Sequence, residues 1–165
     1  MSPAGGALPG NQVFIDKMAK MLARAADPAP LWEAMIVNFH QIEEAKFSSG
    51  GPGWAELQPS TLAVKAALGF AGTNILERTG DLWGSMTGTN GFTDKRVSVY
   101  GWYSGTTLPY AGFHQTGTPP RMVAREIVNI TPGVVAMWSE MMRNYFFAGG
   151  SEGRMPGTAT ISKAI

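Results

Sequence analysis

Trp54-Ala-Glu-Leu57-Gln-Pro-Ser-Thr61, Ile75-Leu-Glu-Arg-Thr79-Gly80-Asp-Leu82, Val97-Ser-Val-Tyr100-Gly101 and Tyr110-Ala-Gly-Phe-His114-Gln115-Thr-Gly117-Thr-Pro-Pro-Arg121 decide how this chain folds. Pro59 stands where a helix tolerates proline, in the first turn, and predicts a short helix through Leu68. Thr79 reads as the cap of a second short helix, with Asp81 placed where negative charge favours the helix start. Val97 to Tyr100 alternates with the period of a strand. Asn90-Gly91 upstream is a hairpin-turn dipeptide, so the segment from Ser85 to Gly101 is expected to be a β-hairpin. One or two helical turns follow Pro109. Met122 to Ile130 is rich in β-branched residues and reads as a further strand or an extended arm.

Outward from this stretch the pattern is helical. Asn11 is placed to cap a helix whose apolar positions Phe14, Met18, Met21, Leu22 and Ala25 share one face. Asp27-Pro28 ends it and starts a second helix, with Leu31, Trp32, Met35, Ile36, Phe39 and Ile42 on its apolar side. Glu33, Glu43, Glu44 and Lys46 are expected on its polar side. The two helices read as a hairpin or a bent pair. Beyond the motif stretch, Thr131-Pro132 starts a third long helix carrying Val134, Met137, Trp138, Met141, Met142 and Tyr145, which Gly149 ends.

The expected architecture is α+β: a small antiparallel sheet, made of a hairpin plus one further strand, packed with two N-terminal helices and a C-terminal helix. Residues 1–10 form a flexible arm, 11–148 a single domain with a Gly-rich loop at 48–53, and 149–165 a flexible tail.

Charged residues make up only 15% of the chain, against about 25% in typical soluble domains, so part of the surface is expected to meet protein. The formal net charge of +1 lacks the electrostatic footprint of a dedicated nucleic-acid binder. With no Cys, disulfides and thiolate chemistry are excluded. No signal peptide is expected at the N-terminus, and no apolar run is long enough to span a bilayer.

No catalytic constellation stands out. His40 and His114 are the only histidines; His40 reads as a boundary residue of a helix face, and His114, beside glycines, as a turn-fixing side chain. Glu43 and Glu44 are adjacent and point to different sides of a helix, which suits no paired-carboxylate site. Neither glycine-rich phosphate-binding pattern occurs, and no cofactor or metal is expected. The methionines at 18, 21, 35, 137, 141 and 142 lie on helix faces, where they fill a core or an adaptable interface.

The ordered set Trp54-x-x-Leu57-x-Pro-Ser-Thr, Ile75-Leu-x-x-Thr79-Gly80-x-Leu82, Val97-x-Val with Gly101, and Tyr110-Ala-x-x-His114-Gln115-x-Gly117 followed by Arg121 resembles the virion-morphogenesis (tail-completion) proteins of tailed bacteriophages of the Mu type. The resemblance covers about residues 10–130. It implies a small structural protein, similar to neck proteins, that forms a ring, commonly sixfold, where the tail meets the head. Arg121 is followed by Met-Val-Ala-Arg where the family often has Pro.

On this resemblance the partners are copies of the chain itself and other neck and tail proteins: connector or adaptor, tail tube or terminator. DNA passes through the lumen without specific binding. The location is the virion, with the host cytoplasm as the place of assembly. Trp54 is expected to plug an apolar groove, and the glycines of 110–117 to let backbones approach closely. The rival readings are a tail-terminator ring, a small hydrolase using His114 with Asp81 or Glu77, and an interaction module unrelated to phage.

Overall fold

Ala29–Ser48, a helix of 20 residues, is the spine of the molecule. The computed structural model describes residues 9–70 and 74–148. The spine (α2) follows α1, Pro9–Ala26, and precedes α3, Pro59–Ala67, and α4, Asp81–Met86. The strands β1, Thr93–Ser98, and β2, Gly101–Thr106, come next, then α5, Ala111–Thr116, and α6, Pro132–Arg143, which continues as a π-helical segment, Asn144–Ala148. The fold is α+β, with one two-stranded antiparallel sheet.

Two clusters of buried side chains are strung along α2. Its N-terminal half supplies Leu31 and Met35, which pack with Met141 of α6. Its C-terminal half supplies Phe39 and Phe47, which pack with Trp54, Leu82, Met86, Ala111 and Ile127. Trp102 and Trp138 border both clusters and meet edge-to-face, with centroids 5.3 Å apart. Asn38, buried in the spine, accepts from the Trp138 indole N–H at 2.8 Å, so the polar edge of that tryptophan is satisfied inside the packing.

Several local expectations hold with a stated cause. The Thr131 hydroxyl accepts from the Val134 N–H and caps α6. Asp27 accepts from the Ala29 N–H at 3.3 Å, just before α2 begins. The Gly-rich turn after α2 packs beneath the Trp54 ring: a Cβ on Gly51 would lie 1.9 Å from it.

Other expectations are overturned. The hairpin turn is at Val99-Tyr100, not at Asn90-Gly91: Ser98 pairs with Gly101, and the Ser98 hydroxyl accepts from the Tyr100 N–H. Asn90 is engaged elsewhere, donating to Asp81 O at 2.9 Å and accepting from the Phe92 N–H, a side-chain turn that hands the chain from α4 to β1. The further strand does not form. Apart from an isolated bridge between Thr118 and Met122, residues 122–130 run as an irregular strap, described below.

Glu43 belongs not to a polar face but to the interior, with 0% of its surface exposed, and ion-pairs with Lys46 at 2.6 Å. Nor do α1 and α2 form a packed hairpin; α1 leans chiefly on the π-helical segment. That helix begins at Pro9, within the stretch expected to be flexible. The rest of the N-terminal arm (1–8) and the C-terminal tail (149–165) lie outside the described residues.

Candidate functional site

The Thr79-Gly80-Asp81-Leu82 turn is the best-defined piece of the motif. The Thr79 hydroxyl donates to the Asp81 carboxylate at 2.6 Å and accepts from the Asp81 N–H at 3.4 Å, so the cap acts from one position before the helix boundary. Gly80 occupies that boundary with φ +86°, a left-handed conformation that a Cβ would strain. Leu82 then enters the core at 3% exposure.

Around this turn lies a cleft of about 540 Å³. Leu57, Thr79, Gly80, Leu82, Tyr110 and His114, six of the ten motif residues, line it. They come from three separate stretches of the motif, 54–61, 75–82 and 110–117, which the fold brings together around one opening. Lys65 of α3 forms part of the wall; it is buried, with its ammonium donating to Asn74 O at 3.1 Å and Glu77 O at 2.8 Å. This staple ties α3 to the 74–77 turn, in which Leu76 adopts φ +62°, a backbone conformation disfavoured for a non-glycine residue. Neither Lys65 nor Leu76 carries a sequence signal that would single it out.

The remaining motif residues act on the strap. Gln115 accepts from the Ile127 and Val128 N–H groups at 2.8 and 3.0 Å and donates to Val128 O at 2.9 Å. A single side-chain amide thereby supplies the hydrogen bonds that a neighbouring strand would otherwise provide. Trp54, buried in its own chain and edge-to-face with Phe47, donates its indole N–H to Glu126 O at 3.1 Å. Lys46 donates to Ile127 O, and the Arg125 guanidinium to Ala55 O.

At Gly117, φ is +72° and a Cβ would sit 2.7 Å from the Ala124 nitrogen, so glycine is required for the strap to pass. Arg121 is exposed in the tight turn between Thr118 and Met122. The motif thus has two parts: one shapes the cleft, and the other fastens the strap that backs it.

The electrostatics of the cleft do not assemble a proton-transfer pair. Burial, followed by the nearby Arg125 charge, lowers the His114 pKa from 6.5, which keeps the imidazole neutral near pH 7. Burial and then the Asp81 charge raise the Tyr110 pKa. His114 makes no hydrogen bond to Asp81 or Glu77; Asp81 is engaged by Thr79, and Glu77 accepts from the Asn74 amide at 2.9 Å. The histidine Nδ1 has no partner. His40 lies apart, bonded to the Ser104 hydroxyl at 2.8 Å, with its pKa lowered by burial and then by Lys95. Among the described residues no group of His, Asp and Glu side chains is placed to hold a metal ion.

The chain belongs to the phage virion morphogenesis family, which matches it over residues 11–146. That span contains both parts of the motif and all of α6, which the motif resemblance alone did not reach. The role this assigns is structural, in building the virus particle. No curated protein and no solved structure matches the chain. No helix among the described residues is long and apolar enough to cross a membrane.

Proposed function

We propose that the protein is a structural component of the phage neck or tail end, where it forms or joins a ring that completes the tail and connects it to the head. What carries this reading is the apolar surface that a member of a virion morphogenesis family leaves in water. Phe14 and Leu22 on α1, Val64 on α3, Leu68 just after it, Tyr100 at the hairpin tip and Phe113 on α5 are all more than half exposed. On α1, Phe14 and Leu22 share one face with the partly exposed Met18, at i, i+4 and i+8, and an apolar stripe of this kind left in water marks a contact surface. In a ring each subunit uses two different surfaces, so exposure on several elements is what heterologous packing requires. DNA passing through the lumen needs no specific site, in keeping with the near-neutral charge.

A phage lacking the protein tests the reading. Finished tails of normal length, unattached to filled heads, are the expected product. Over-long tails would replace it with the runner-up within the same class, a terminator that stops tube growth. Normal, infectious particles would refute both. The hydrolase reading has its own test: His114→Ala abolishes turnover there and leaves assembly untouched.

A further inference from the structure

The exposed face of α1 and the cleft lie against opposite ends of the spine. Helix α1, here called the arm, joins α2 at its N-terminus, and its attachment is reinforced by the Tyr145 hydroxyl, which donates to Asp27 O at 2.9 Å. The cleft includes Leu82, which belongs to the cluster around Phe39 and Phe47 in the C-terminal half of α2. From Leu31 to Phe47 the spine rises roughly 24 Å at ~1.5 Å per residue. One end therefore carries a convex apolar helix and the other a concave apolar cleft.

The arm supplies no residue to either buried cluster. Val13, Phe14, Ile15, Met18 and Leu22 are 38–66% exposed. At roughly 150–200 Å² per large side chain this leaves on the order of 400 Å² of apolar surface in water. That is about half of the ~800 Å² each partner contributes to a standard interface.

Lys17, Lys20 and Arg24, at i, i+3 and i+7, form a stripe beside the apolar face, and no ion pair among the described residues engages them. Glu77 and Asp81 line the cleft, and Glu56 precedes Leu57 in its wall. Lys65, Arg78 and Arg125 stand in the same wall, so with Glu56 the acidic and basic groups around the cleft balance and the arm meets no net repulsion there.

We propose that α1 of one copy lies in the cleft of the next. Phe14, Met18 and Leu22, spaced i, i+4, i+8, enter among Leu57, Leu76 and Leu82. Each copy gives an arm and receives one, a heterologous contact that closes into a ring when the rotation allows. This deepens the ring reading and rests on it.

The chain has no Cys, so introduced thiols are the only ones present. The full chain carrying Leu22→Cys and Thr61→Cys, concentrated and treated with a short bis-maleimide, is expected to give a ladder of covalent oligomers beyond the dimer. Each single variant stops at monomer or dimer. Phe14→Asp, at a position more than half exposed and therefore compatible with folding, is expected to abolish the ladder. Oligomers in solution without a ladder would overturn the arm-in-cleft contact and leave the ring reading standing. A protein that stays monomeric without a ladder would overturn the contact as a property of the chain itself. Dimers from Leu22→Cys alone, unchanged in the double variant, would show arm against arm and also overturn it.

Discussion

Gln115 holds the strap with three hydrogen bonds from one side chain. Leucine in its place would leave the Ile127 and Val128 N–H groups without their partner. Because a buried donor left unpaired costs about 1–3 kcal/mol and, of the two residues, only Ile127 is buried, Gln115→Leu is expected to destabilise the fold by about 1–3 kcal/mol in chemical denaturation. Glu43 and Lys46 make a similar point about charge. Burial raises the Glu43 pKa and Lys46 opposes the rise. Lys46→Ala strands the carboxylate and is expected to cost about 3–5 kcal/mol, with Glu43→Gln costing less and partly rescuing the lysine variant.

The histidines set a pH response. Both His40 and His114 have folded-state pKa values below 6.5. The unfolded chain therefore binds protons more readily, and stability is full above pH 6.5 and falls as the pH drops through that value toward the folded pKa values. Thermal unfolding at pH 7.5 and 5.5 should show a lower midpoint at the acid value, with a smaller difference in the His40→Gln and His114→Gln double variant. Glu43 acts in the opposite sense, losing stability as pH rises from the carboxylate range, so its contribution does not produce the expected drop below 6.5. Little of this was legible in sequence. Read locally, Glu43 belongs to the polar side of the helix with Glu33, Glu44 and Lys46, and no nearby residue marks it for the interior, where the fold places it.

Among the elements, the helices were legible because caps and periodicity are local. Thr131, Pro59 and Thr79 act within a few residues of where they stand, and the helices start where those residues imply. The hairpin turn and the strap were not. Asn90-Gly91 has the chemistry of a hairpin turn, but Asn90 is held by Asp81, and the reversal passes to Val99-Tyr100. The β-branched residues of 122–130 favour a strand, but the segment runs irregularly, and its partners are the amide of Gln115, the indole of Trp54 and the ammonium of Lys46 instead of a strand.

The long arm α1 shows the limit of periodicity. Its apolar stripe is real, and the fold does not bury it. Helices draw most of their stability from tertiary packing, so α1 amides are expected to exchange with solvent far faster than those of α2 in the isolated chain. Assembly should slow them by at least tenfold. Equal exchange of the two helices in the free protein would contradict this.

At the scale of the molecule, six motif residues drawn from three stretches converge on one cleft, and three others fasten the strap behind it. The ordered motif, through its resemblance to tail-completion proteins, is enough to suggest a virion protein from the sequence, and the family match over residues 11–146 agrees. Its individual roles were less visible. Trp54, expected to plug a groove, is committed to its own core, whereas the cleft needs side chains too ordinary to notice in sequence, such as Lys65 and Leu76. Surface left apolar at both ends of a spine suits a part that is complete only among neighbours.

A reconstruction of the assembled particle measures this most directly. The account predicts a ring of these chains at the junction of head and tail; copies located only elsewhere in the particle, or none in it at all, would contradict it.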